Sequence, residues 1–131
     1  MSGESKPRVL VVDDDKGLQT LVATLLQRAD MEPLVVGTAA DAAAALRQPP
    51  LPDVVLLDLM LPDVSGIQFL HQIRAKRDFD SLPVVILSAL ADPDQIREGL
   101  QAGADRYLTK PYLANNLVAT LQEVLRAGRR K

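Results

Sequence analysis

Apolar runs alternate with helix-period stretches along the whole chain. Residues 8–13, RVLVVD, read as a strand. Leu18, Leu21, Val22, Leu25, Leu26 and Ala29 then recur at the spacing of one helix face. LVV at 34–36 is a second, shorter strand. Thr38, with Asp41 three residues on, resembles a capping box opening an alanine-rich helix over 39–48. PPLP at 49–52 is a loop, and VVLLD at 54–58 is the third strand. Ile67, Leu70 and Ile73 mark a helix over 66–76. PVVILS at 83–88 is the fourth strand. Asp92 then reads as an N-cap, with Pro93 at the first helical position and Gln95 at the third. RYLT at 106–109 is the fifth strand. Ala114, Leu117, Val118, Leu121, Val124 and Leu125 form the face of the last helix.

Five strand–helix units in succession predict an α/β fold, with a parallel sheet covered by helices on both faces. Runs one, three and four are almost wholly apolar, as strands buried on both sides should be. Runs two and five are shorter or more polar and suit the edges. Right-handed crossovers make the sheet doubly wound. No internal repeat and no domain boundary is apparent. A chain of 131 residues suits one domain. The expected organisation is a disordered segment over 1–7, one domain over 8–126, and a basic tail or linker start over 127–131, read as a solvated helix end.

Composition narrows the chemistry. There is no cysteine and one histidine, His71. Disulfides, cysteine-ligated zinc and iron–sulfur sites are excluded, and a His-rich metal site cannot be built. Oxygen ligands remain, and those favour magnesium, manganese or calcium. A net charge of −2 gives no general reason to bind nucleic acid or a membrane surface. The polar start MSGESKP lacks the apolar stretch of a signal peptide. No apolar run is long enough to span a bilayer. The expected location is the cytoplasm.

Ligands of such sheets bind at the carboxyl ends of the strands. Strand one ends on Asp13, Asp14 and Asp15, strand three on Asp58, and strand four on Ser88. Strand five runs into Lys110. Two carboxylates about 4 Å apart repel by about 4 kcal/mol at an effective dielectric near 20. Lys110 offers one positive charge to offset this, and a divalent cation offers two. Magnesium uses one or two carboxylates, keeps waters, and completes its shell with phosphate oxygens. The pattern therefore reads as a metal site that awaits a phosphoryl group. A flavin or nucleotide site would need N–H and O–H donors after strand one, where three acids stand instead. No GxGxxG or GxxxxGK pattern occurs.

VLVVDDD, VVLLDLMLPDVSG, VVILSA and GADRYLTKP, taken together and in this order, resemble the receiver domain of bacterial response regulators over about residues 8–125. The resemblance implies a flavodoxin-like strand order 2-1-3-4-5 and a phosphorylation-activated signalling switch rather than an enzyme, one that assists its own phosphorylation and dephosphorylation. It implies that Asp58 accepts a phosphoryl group from a histidine kinase, a phosphotransfer protein or a small phosphodonor. It makes Asp13, Asp14, Asp58 and the Met60 carbonyl the Mg2+ site, with Asp13 acting through water and Mn2+ able to substitute. Ser88 and Lys110 would hold phosphoryl oxygens, and the small Ala89 would leave them room. Tyr107 matches a switch aromatic that turns inward as Ser88 moves toward the phosphate. Lys110–Pro111 matches a peptide bond that is usually cis in the family. The face of helix four, strand five and helix five would then control a downstream protein or an output domain, with a phosphorylation-dependent homodimer as one form. No direct contact with nucleic acid or membrane is implied.

Other polar residues have plainer readings. Asp15 is a helix-start cap, Asp63 shapes the turn before Gly66, Asp53 faces solvent, and His71 lies on a solvated face. Ser65 stands where the family often has Asp. Arg106 and Thr120 occupy positions where winged-helix regulators carry an acid and an arginine, so their salt-bridged dimer face is not expected. Met60 and Leu90, both large and apolar, flank the phosphoryl position and predict a long-lived phosphorylated state. Two rivals remain. VVDDDKGL also resembles the DxD motif of haloacid-dehalogenase-type phosphatases, with Asp13 as nucleophile and Asp15 as acid/base. Alternatively the fold serves as a binding module without phosphotransfer.

Overall fold

The computed structural model describes residues 6–89, 91–110 and 114–129. Five strands, β1 (Arg8–Val12), β2 (Glu32–Val36), β3 (Val54–Leu57), β4 (Val84–Ser88) and β5 (Arg106–Thr109), alternate with five helices. The helices are α1 (Lys16–Arg28), α2 (Ala39–Leu46), α3 (Gly66–Arg74), α4 (Pro93–Gln101) and α5 (Ala114–Ala127). The strands form one parallel sheet in the order 2-1-3-4-5, with β2 and β5 at the edges. Among the described residues no helix is long and apolar enough to cross a membrane.

Apart from Arg8 and Ser88 at their ends, the three central strands are apolar because each side of the sheet is covered. Leu10, Val12, Val55, Leu57, Val84 and Ile86 face one core with α2 and α3. Val9, Val11, Val54, Leu56, Val85 and Leu87 alternate onto the other core, beneath α1 and α5. This alternation is the period-2 geometry of a strand read on both faces.

Helix starts follow their caps. Asp15 accepts from the Leu18 N–H, Thr38 from Asp41, Ser65 from Gln68, and Asp92 from Asp94. Three boundaries shift by two residues against the sequence reading. β2 begins at Glu32, because Arg8 and Glu32 stand in register at the start of the ladder. α2 stops at Leu46 and α3 at Arg74, and a 3-10 turn over Arg77–Phe79 follows α3.

Two plain readings need correction. Asp63 does more than shape a turn. Its carboxylate takes the N–H groups of Ala39 and Ala40 at 3.0 and 2.9 Å, so the loop after β3 caps α2. The start of the tail is not a free solvated end. Gly128 adopts φ +75°, the chain turns, and Arg129 reaches back to the buried carboxylate of Asp105 at 3.0 Å. Asp105 also accepts from the Val84 N–H at 2.9 Å and from Arg74 at 3.3 Å. Arg129 donates further to the carbonyls of Gly103 and Asp80. Asp53 is exposed, and it accepts the Arg8 N–H at 2.8 Å. The Lys110–Pro111 bond, Leu90, residues 1–5 and residues 130–131 lie outside the described residues.

Candidate metal and phosphoryl site

Sheet register gathers the polar residues at one rim. Val12 pairs with Leu57, so the next residues, Asp13 and Asp58, leave adjacent strands side by side. Ser88 pairs with Thr109, so Lys110 emerges beside Ser88. Backbone bonds extend the ladders past the strand ends: Asp13 N–H to Val36 O at 3.1 Å, Asp58 N–H to Val12 O at 2.9 Å, and Lys110 N–H to Ser88 O at 2.9 Å. The site is therefore fixed by the sheet, with only short loops beyond it.

Asp13, Asp14 and Asp58 bring one carboxylate oxygen each within 4.8 Å of one another. Asp13 and Asp58 are only 4% and 6% exposed, whereas Asp14 is open to solvent. Burial of carboxylates demands compensation. Asp13 Oδ1 accepts the Asp15 N–H at 2.9 Å, and Asp58 Oδ1 accepts the Met60 N–H at 3.2 Å. The Lys110 ammonium lies 3.1 Å from Asp13 Oδ2 and 3.3 Å from Asp58 Oδ2.

Titration follows this packing. Burial pushes the Asp58 carboxyl above its ordinary value; the Met60 N–H opposes, the Asp13 charge reinforces, and Lys110 opposes again. For Lys110, burial works against the charge, but the Asp58 and Asp13 carboxylates outweigh it and hold the ammonium above its ordinary value. One ammonium among three carboxylates leaves two negative charges in formal excess. A dication matches that excess, and an all-oxygen donor set suits a hard cation.

Ser88 is fully buried and shares a side-chain hydrogen bond with Tyr107. Burial pushes the Tyr107 phenol up; the Ser88 bond lowers it, and the Asp58 charge raises it. Met60 is 61% exposed at the edge of the site, and Ala89 is exposed next to Ser88. His71 is exposed on α3. Arg106 pairs with Glu123 of α5 at 3.1 Å.

Two supports escaped the sequence reading. The Gln19 amide donates to the Asp13 carbonyl, holding the acidic turn from α1. Gly66 opens α3 directly against the loop that follows β3; a Cβ there would lie 2.4 Å from the Asp58 carbonyl oxygen. The short SG dipeptide before the α3 apolar stripe was its only local signal.

Comparison with known proteins agrees with this geometry. The family model "Response regulator receiver domain" matches residues 9–122. The phosphate regulon transcriptional regulatory protein PhoB of Escherichia coli K12 is 37% identical over 119 residues, 91% of this chain and 52% of PhoB. The chain thus spans about half the length of the curated relatives it matches. The receiver domain of Francisella response regulator 1452 superposes with a TM-score of 0.84 at 32% identity, covering 92% of this chain and 98% of that one. The BeF3-activated N-terminal receiver domain of Klebsiella pneumoniae RstA gives 0.83 at 30% identity, covering 91% and 98%. This chain belongs to the response regulator receiver domain family.

Proposed function

We propose that residues 8–126 form a phosphorylation-activated switch in which Asp58 is the phosphoryl acceptor. The observation that carries the reading is the placement of a buried Asp58 carboxylate 3.3 Å from the Lys110 ammonium, within a carboxylate cluster open through Asp14. An Asp58 carboxylate oxygen attacks phosphorus and forms the P–O bond of an aspartyl phosphate. The bond from phosphorus to the donor, an imidazole nitrogen of a histidine kinase or the acyl oxygen of a small phosphodonor, breaks, and its electron pair leaves with the donor. Lys110 and the Ser88 hydroxyl stabilise charge on the transferring oxygens.

Asp13, Asp14 and Asp58, with the Met60 carbonyl, would hold Mg2+, or Mn2+ in its place. When bound, the ion supplies positive charge that lets an anionic phosphoryl group approach three acids. Lys110 alone leaves the cluster under-compensated, which supports a dication there. Phosphorylation adds about −1.5 to −2 charges. Ser88 and Lys110 shift toward them, Tyr107 follows Ser88, and the face of α4, β5 and α5 changes. A partner or output domain that prefers one form is thereby controlled. This domain needs neither nucleic acid nor membrane for that role, and the cytoplasm suits it. Homodimerisation of the phosphorylated form is one output of such a switch; the Arg106–Glu123 pair replaces the acid–arginine pattern expected for the winged-helix type.

Acetyl phosphate with magnesium, read by intact mass, tests the reading. Wild type should gain one phosphoryl group and Asp58→Asn none. Blocking by Asp13→Asn instead, with turnover of phosphoesters, would favour the dehalogenase-type hydrolase. No mass gain in wild type would favour a binding module without phosphotransfer.

A further inference from the structure

Helix α4 meets the sheet through a glycine. Gly99 is buried, and a methyl group built on it would lie 2.7 Å from Ile86 Cδ1 and 3.1 and 3.2 Å from Cδ2 and Cε2 of Tyr107. Its backbone is ordinary helix, so the position uses glycine for its missing side chain and not for its conformational freedom. Glycine is a poor residue for a helix interior, and here the space that it leaves is filled by an aromatic ring.

The register explains how the ring arrives. Ile86 of β4 pairs with Tyr107 of β5, and both join the core on the α3 and α4 side of the sheet. Ser88 follows Ile86 by two residues, on the same face of β4. The ring therefore has Ile86 beside it, the α4 backbone at Gly99 above it, and the Ser88 hydroxyl at its polar end.

We propose that Gly99 is a positioning residue of the switch: its bare Cα seats the Tyr107 ring beneath α4, and this contact couples α4 to the reach of Ser88 for a phosphoryl group. The inference rests on the switch reading given above. When Ser88 moves toward Asp58, the ring follows it inward and presses closer to Gly99. A methyl group at 99 opposes that movement. Conversely, displacement of α4 alters the room available to the ring, so events on the α4 face act back on the site.

Beryllofluoride affinity of the magnesium-loaded chain tests the coupling, with Gly99→Ala as the variant. Affinity should fall at least fivefold, and the Tyr107 ring resonances of the free protein should shift. Ile86→Val removes the Cδ1 atom that the new methyl group meets. The pair Ile86→Val, Gly99→Ala should therefore recover thermal stability while beryllofluoride affinity stays low, which separates positioning from simple packing. The pair also supplies the comparison should the single variant fail to fold. In a Tyr107→Ala background, Gly99→Ala should change affinity less than twofold. Wild-type affinity in Gly99→Ala, or an equal loss with and without the Tyr107 ring, would overturn the inference and leave the switch reading standing. No beryllofluoride binding by wild type would overturn the switch reading and this inference together.

Discussion

Lys110 Nζ lies 3.3 Å from Asp58 Oδ2, although 52 positions separate the two residues in the chain. The ammonium is the one cation of the site among the described residues, and it also bonds Asp13. Lys110→Ala should therefore destabilise the metal-free protein by about 1–3 kcal/mol at neutral pH, through buried charge left uncompensated. Urea denaturation measures this. The folded Lys110 pKa is held above its ordinary 10.5. Its stabilising contribution is then fully present below 10.5 and is lost as pH rises through the higher folded value. The gap between wild type and variant should stay constant near neutrality and close only in strong alkali.

Asp58→Asn should have the opposite sign. Burial disfavours the ionised carboxylate, so this group contributes stability at low pH that is lost as pH rises through its raised folded value. With EDTA at pH 7, the Asn variant should melt a few degrees above wild type. The difference should vanish below about pH 4, near the ordinary carboxylate range. Calorimetric melting across pH checks both halves.

Asp63 behaves as a helix cap supplied by another segment. The Ala39 and Ala40 N–H groups hold its carboxyl below the usual carboxylate value. A depressed pKa gives stability that is present above the unfolded value and is lost as pH falls through the folded one. Asp63→Asn should lower the melting temperature at pH 7, and the deficit should shrink as the solution is acidified. A deficit independent of pH would mean that the capping charge is not its cause.

The fold was legible because three features agreed: alternating periodicity, apolar central strands and polar edges. The main site was legible for a related reason. Asp13, Asp58, Ser88 and Lys110 each end a strand or follow one directly, so placing the strands places them. What escaped depends on approach between distant segments. Asp63 caps a helix 24 positions earlier in the chain. Gln19 reaches back across a turn to a backbone carbonyl, and Gly66 and Gly99 matter for what lies where a side chain would be. Gln19 and Gly99 have no period or motif to announce these contacts, and the motif that holds Asp63 and Gly66 does not say what either one touches.

Arg129 extends the folded unit past the last helix. Asp105 is buried between Arg129 and Arg74, with Val84 N–H as its third partner. Burial and the neighbouring Arg129 charge pull Arg74 down to about 10, against the attraction of Asp105 and Asp80. Arg129→Ala should cost about 1–2 kcal/mol, since one ionic partner of a buried carboxylate is lost while another remains. Truncation after Ala127 should cost at least as much by urea denaturation. No loss in either would mean that the tail contributes nothing to the fold.

Met60 stands exposed beside Asp58. Its thioether cannot donate a hydrogen bond to an incoming water. Met60→Asn should shorten the life of the phosphorylated protein several-fold once the donor is removed, as followed by intact mass. An unchanged decay would remove Met60 from control of hydrolysis.

Magnesium binding is the most direct test of why three acids share this rim. Calorimetric titration of wild type should show one Mg2+ bound, with a rise in melting temperature on saturation, and Asp14→Asn should lose most of both. Absence of heat for Mg2+ and Mn2+ alike, with melting indifferent to either ion, would contradict the account.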